Sequence, residues 1–258
     1  MTNAATRRQL DELGYVLLPG VMQPALLSRL RDRVEQLFAS EGEAAGAEFK
    51  TEAGARRLAN LVNKGGVFRE IIAHPAVLPL VEHVLDESVK LSSLNARSVN
   101  PQWDQPQPLH CDMGGLPDER GAWVCNTVWM LDDFTEQNGA LRVVASSHRW
   151  NRLPQDALEN PCADHPQQSV VAGAAGSVIV MNAHLWHGGM ANLTPRCRTA
   201  VHAFYCRRDK PQQQYQKQLL DAELQAALPA ELRELLALDD ATNDELCSQN
   251  YARSGFLK

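Results

Sequence analysis

The chain has 258 residues, 44% of them hydrophobic and 22% charged, with a net charge of −6 at pH 7. That length suits one large domain or two small ones, and the apolar share supports a sizeable core. The acidic balance offers no phosphate-backbone footprint, and neither a leader-like N-terminus nor a long apolar run is read, so the expectation is a cytoplasmic protein that binds neither nucleic acid nor membrane.

In chain order, Thr6 to Leu13 suits a helix ended by Gly14, and Tyr15 to Gly20 reads as a short strand closed by Pro19-Gly20. Pro24 suits a first helical position, and Leu27, Leu30, Val34 and Leu37/Phe38 then recur at helical spacing. Ala39 to Lys50 is polar and rich in Ala and Gly, and is expected as loop. Ala76 to Leu85 predicts a second short helix. From Ser88 the texture changes to short apolar or alternating runs at 88–99, 122–131, 140–145, 169–171, 177–182 and 198–206, broken by Gly, Asn and Pro. That pattern predicts an all-β sandwich or barrel. After Arg208 leucines return at helical spacing. The plan is helices, a β core over about 88–208, then helices, read as one domain over 1–258.

Residues 109–115 read LHCDMGG. On a strand, side chains alternate, so His110 and Asp112 share a face. Cys111 between them points the other way. None of the six cysteines forms a C-x-x-C pair, so neither a zinc knuckle nor a redox motif is available, and free thiols are expected. Two His and one carboxylate on one face of an octahedron hold non-haem Fe(II). A β-like run, SVIVMNAHLWH, leads into His184 and His187, with Gly188-Gly189 after it permitting close backbone approach or a sharp turn. Arg198 opens the run RTAVHAFYC, and a guanidinium suits a dicarboxylate. The ordered set is His110, Asp112, His187 and Arg198, with His184 the rival of His187. A zinc-type hydrolase could use the same three ligands. A non-catalytic barrel holding a small acid is the other alternative.

The quoted segments resemble the phytanoyl-CoA dioxygenase family of Fe(II)/2-oxoglutarate oxygenases over nearly the whole chain. DELGYVLLPGVM is similar to that family's opening, LHCDMGG to its His-x-Asp strand, and HGGMANLTPRCR to its distal-His-to-Arg stretch. The most specific block is VWMLDDFTEQNGALRVVASSH, residues 128–148. The resemblance implies a mainly β fold with flanking helices, a double-stranded β-helix or jelly-roll, cupin-like barrel. It implies that His110, Asp112 and His187 bind Fe(II), and that Arg198 pairs with the distal carboxylate of 2-oxoglutarate, with O2 as the other cosubstrate. It favours His187 over His184. Trp129 falls where the family often has a tryptophan near the cosubstrate, and Thr127 shares its face by alternation. Asn95 and Arg97 are expected to reach cosubstrate or substrate, and His202, on the strand face of Arg198, to line the pocket. The usual PGSH is Ala145-Ser146-Ser147-His148 here, and Gly189 stands where members often carry Ser or Thr.

The activity implied is hydroxylation of an unactivated C–H of a small-molecule metabolite, with succinate and CO2 released. Desaturation or another oxidative rearrangement is the alternative. Related halogenases have a small residue where Asp112 stands, so chlorination is not expected. Arg56-Arg57 and Lys64 are the candidates for a CoA phosphate, with a solvated face the preferred reading. The segment 40–70 and the C-terminal helices are candidates for a lid. A monomer or a homodimer is expected.

Overall fold

The computed structural model describes residues 4–49, 51–86 and 88–250. Lys50, which closes the stretch expected as loop, and both ends of the 1–258 span lie outside the described residues.

The chain opens with α1 (Ala4–Leu13), β1 (Tyr15–Leu18) and α2 (Pro24–Glu41). Pro24 starts α2 because its missing N–H is not needed in the first turn. The helix runs past the expected loop boundary to Glu41, and a 3-10 turn, Gly42–Ala44, follows. β2 (Ala55–Leu58), α3 (Gly66–Ile72) and α4 (Leu78–Leu85) complete the first part. The core strands are β3 (Val89–Val99), β4 (Val124–Met130), β5 (Leu141–Val144), β6 (Gln168–Val171), β7 (Val178–Asn182), β8 (Trp186–Gly189) and β9 (Arg198–Arg207), with α5 (Pro154–Ala157) between β5 and β6. Four helices close the described chain: α6 (Gln216–Leu219), α7 (Ala222–Ala227), α8 (Ala230–Leu235) and α9 (Ala241–Asn250).

The strands form two antiparallel sheets, one in the order β1-β7-β4-β9-β3-β2 and one in the order β6-β5-β8. The larger sheet has two apolar faces, which is why its strands read as near-continuous hydrophobic runs. One face lies under α2, α3 and α4, with Leu30, Phe68, Leu80, Trp129 and Tyr205 in one cluster. The other meets the small sheet, where Val128, Ile179 and Ala200 pack with Leu141 and Val143. The expected jelly-roll plan is met as these two packed sheets, and among the described residues no strand ladder closes them into a continuous barrel.

One irregularity matters for the site. The β3/β9 register shifts between Leu91 and Ser93, leaving Ser92 as the extra residue of a bulge. Before it Leu91 packs on the helix side; after it Leu94 and Ala96 do. Asn95 and Arg97 therefore face the small sheet.

Candidate functional site

His110 and His187 exchange both backbone hydrogen bonds, His110 N to His187 O at 2.9 Å and His187 N to His110 O at 3.0 Å. Directly paired residues project to the same side, and the two rings stand 4.4 Å apart between centroids. The chain stays extended through Cys111, whose thiol turns away to His184 O at 3.1 Å. Asp112 returns to the histidine side, fixed by its amide donating to Ala183 O at 2.8 Å.

Each ring has its Nδ1 against a carbonyl, His110 against Pro108 O at 2.9 Å and His187 against Leu185 O at 2.8 Å. A carbonyl only accepts, so Nδ1 carries the proton and each Nε2 lone pair is left free. Asp112 Oδ1 lies 3.8 Å from His110 Nε2 and 3.5 Å from His187 Nε2. Asn126 Nδ2 donates to Asp112 Oδ2 at 3.1 Å and orients the carboxylate. One donor atom from each of His110, Asp112 and His187 lies within 4.8 Å of the others. Two imidazoles and a carboxylate around one point suit Fe(II). His184 is spent elsewhere: Trp123 N–H donates to its Nε2 at 3.2 Å, and its Nδ1 faces Gly115 O at 2.8 Å.

The electrostatics differ between the two rings: burial works to lower His187, but the charge of Asp112 and its bond to the ring outweigh it and raise His187. Burial, then the neighbouring His187, push His110 down to about 4. Burial works to raise Asp112, but the charges of His187 and His110 and the bonds from His187 and Asn126 outweigh it and hold the carboxyl at about 2.

These residues sit on the wall of a cavity of about 530 Å³, which Asn95, Arg97 and His202 also line. Asn95 and His202 are direct cross-strand partners. Burial and the charges of Arg57, Arg97 and Arg198 drive His202 down to about 3, so its ring is neutral. Arg198 lies on the same strand face, four residues before His202, and is buried. Its guanidinium stacks on the Phe134 ring, 4.2 Å from the centroid, and Nη2 donates to Gly139 O. Its Nε has no hydrogen-bond partner among the described residues. Burial, then Arg97, lower Arg198 to about 9. A buried cation with an unfilled donor fits an incoming carboxylate.

Three of the residues expected at the cosubstrate, Arg198, Trp129 and Thr127, are not among those that line the cavity, and Trp129 and Thr127 face the helices. Trp129 Nε1 donates to Thr127 Oγ1 at 3.0 Å, Thr127 Oγ1 donates to Ala203 O at 3.2 Å, and Trp129 meets the His74 ring edge-on at 5.6 Å. Alternation along β4 gives the cavity positions to Asn126 and Val128.

The sequence reading missed Phe49, Glu52, Gln107, Asn126 and Gln213 as cavity residues. Alternation with Val128 could have found Asn126. Gln107 stands three residues before His110, but nothing in the pattern separates it from Gln102 or Gln105. Segment 40–70 does reach the cavity, through Phe49, Glu52 and Arg57. Arg57 is tied to Glu52 there, Arg56 lies 4.3 Å over the Phe38 ring, and Lys64 pairs with Glu41 and Glu48, both at 2.8 Å. Gly54, at φ 75°, holds this segment against β3, and a Cβ there would run into the Trp103 ring. Gly54→Ala is expected to cost about 1–3 kcal/mol, read as a fall in chemical-denaturation midpoint with unchanged slope.

A model of the phytanoyl-CoA dioxygenase family matches residues 10–200. The chain belongs to this family. The matched span contains all three candidate ligands and Arg198. Among relatives, dioxygenase af480 of Aspergillus fumigatus is 28% identical over 237 residues, covering 89% of this chain and 75% of that protein. The fold is shared with the epimerase SnoN, solved with Fe3+, 2-oxoglutarate and a nogalamycin compound, at a TM-score of 0.65 and 20% identity over 80% of this chain and 83% of that one. It is also shared with HygX of Streptomyces hygroscopicus, solved with nickel, 2-oxoglutarate and hygromycin B, at a TM-score of 0.60 and 17% identity over 79% of this chain and 87% of that one. Among the described residues of this dioxygenase-family chain, no helix is long and apolar enough to cross a membrane.

Proposed function

We propose that the protein is an Fe(II)- and 2-oxoglutarate-dependent oxygenase that hydroxylates an unactivated C–H of a small-molecule metabolite. The observation that carries this is the pair of histidines with both Nδ1 atoms bound to carbonyls and both Nε2 atoms turned to Asp112, on the wall of a cavity of about 530 Å³. His110, Asp112 and His187 would hold the metal. Held by these three residues, Fe(II) would supply the chemistry that uses O2 to decarboxylate 2-oxoglutarate oxidatively to succinate and CO2.

The protein's own residues bind, orient and exclude water. Arg198 takes the distal carboxylate of 2-oxoglutarate through the donor that has no partner. Asn126 fixes the orientation of Asp112. Val128, Leu141, Met181 and Phe204 give the cavity an apolar surface against which a substrate C–H packs. The six free cysteines among the described residues support a cytoplasmic location.

The test is succinate release under air with Fe(II), 2-oxoglutarate and a panel of small metabolites, with product mass read in parallel. A gain of one oxygen atom is the expected product. Chloride in the buffer is expected to leave the product mass unchanged, because the Asp112 carboxylate fills the position a halide needs. A chlorinated product would contradict the ligand assignment. Stoichiometric zinc with no succinate would replace the oxygenase with a hydrolase.

A further inference from the structure

Glu52 lies far from the ligands in sequence, yet its carboxylate is the most heavily bonded acidic group in the cavity wall. Arg97 Nε reaches Oε1 and Oε2 at 3.1 Å each, and Arg97 Nη2 reaches Oε1 at 2.6 Å. Arg57 Nε donates to Oε2 at 2.7 Å, and Arg57 Nη2 bonds the same oxygen. Gln107 Nε2 donates to Oε1 at 2.9 Å. Arg57 and Arg97 are direct cross-strand partners on β2 and β3. Like charges in that position repel, so the intervening carboxylate holds them together.

The pairing fixes which edge of Arg97 is left over. Its Nε/Nη2 fork faces Glu52, and Nη1 has no hydrogen-bond partner among the described residues. A Cβ added at Gly189 would stand 3.6 Å from this Nη1. Gly189 is two residues past His187, so the free edge faces the metal-binding strand. Gln107 ties the same points together from the other side. Its Nε2 donates to Glu52, and its Oε1 accepts from Gly189 N at 3.0 Å. Residue 189 has no side chain, so the Gln107 amide and the free guanidinium edge come close to the distal ligand strand, where a Cβ would meet Gln107 Oε1 at 3.1 Å.

We propose that Glu52 is a positioning residue that orients Arg97 to form a carboxylate subsite beside the metal, separate from Arg198. The ligand it takes is a carboxylate, supplied by the cosubstrate or by an acidic substrate. Two arginines sharing one acidic partner leave the wall cationic, which suits an anion. Glu52 acts through Arg97 and Gln107 and does not itself touch the ligand.

This rests on the 2-oxoglutarate reading, and the experiment keeps the two apart. Mn(II)-loaded protein is titrated calorimetrically with 2-oxoglutarate, and then, as the 2-oxoglutarate complex, with acetate. Glu52→Gln, Arg97→Gln and the double variant are compared with wild type, after circular dichroism confirms folding. Arg97→Lys, which keeps the charge but not the fork, stands in if Glu52→Gln does not fold. Each single variant is expected to weaken one of the two ligands about tenfold, with the double variant no weaker than Arg97→Gln alone, because both act through one group. Arg97→Lys is expected to weaken it similarly. Loss confined to 2-oxoglutarate assigns the subsite to the cosubstrate, and loss confined to acetate assigns it to the substrate. Unchanged affinities for both, additive losses, or tighter binding in Glu52→Gln would each overturn the proposal. The last would make Glu52 a competitor for the subsite. Arg198→Gln is the separate control: if that variant binds 2-oxoglutarate as wild type does, the cosubstrate reading itself fails, whatever Arg97 does.

Discussion

Asp112→Ala is expected to lower iron affinity by more than about a hundredfold, since loss of even the groups that orient metal ligands costs about 10–100-fold. Succinate formation should fall with it. The site explains why no neighbour can substitute. Asp112 is the carboxylate between His110 Nε2 and His187 Nε2, at 3.8 and 3.5 Å. The nearby acidic group of the cavity, Glu52, is held by Arg57, Arg97 and Gln107. The rings would keep their orientation, because each is fixed by its own carbonyl, so the variant should fold and the loss should be specific to metal. Asn126→Ala separates orientation from ligation. It keeps all three ligands, removes the bond to Asp112 Oδ2, and should weaken iron by about 10–100-fold. Metal content after anaerobic loading and desalting checks both variants, with the visible band that forms on adding 2-oxoglutarate as the second reading. An Asp112→Ala protein that retains stoichiometric iron and full succinate formation would remove Asp112 from the site.

Much of this arrangement was readable from the chain, and what was not has physical causes. The strand runs were legible because the large sheet is apolar on both faces, and the ligands because residue types that bind metal stood at period-two spacing. Trp129 was placed by the family's usual position for a tryptophan, and Thr127 by alternation with it. The helix side of β4 takes Thr127 instead, because Ala203 O and Trp129 Nε1 satisfy its hydroxyl without water. Parity along a strand says which residues share a face, but not which face is the inner one. Asn95 and Arg97 reach the cavity only because Ser92 bulges, and a bulge leaves no period in the sequence. β2 was hidden for a different reason. Its four residues, ARRL, carry two arginines, one paired with Glu52 inside the cavity and one stacked on Phe38. Charged residues in a short edge strand read as loop. Glu52 gave no signal, since its partners lie 5, 45 and 55 residues away.

Arg198→Gln is expected to raise the KM for 2-oxoglutarate by about 30- to 1000-fold, the effect of removing one member of a buried charge pair at about 2–4 kcal/mol. The same change should cost the ligand-free protein little. In that state the guanidinium is buried, its Nε lacks a partner among the described residues, and burial and the charge of Arg97 outweigh the favourable charges of Asp132 and Glu52. Replacing a group that is poorly satisfied in the free protein removes a desolvation cost along with the contact. The two effects are therefore opposite in pattern to those of a structural arginine. Arg142 is the internal comparison. It is equally buried and its Nε is likewise unpartnered among the described residues, but its Nη atoms donate to the carbonyls of Gln107, Pro161, Cys162 and Ala163, and truncating it should destabilise the free protein outright. Thermal unfolding with and without 2-oxoglutarate, on Mn(II)-loaded protein, reads both at once. For Arg198→Gln the melting temperature without ligand should stay close to wild type, while the rise that ligand binding produces disappears. Arg198→Lys should recover part of that rise, because the charge returns without the fork. A wild-type rise in Arg198→Gln would place the distal carboxylate of 2-oxoglutarate away from Arg198.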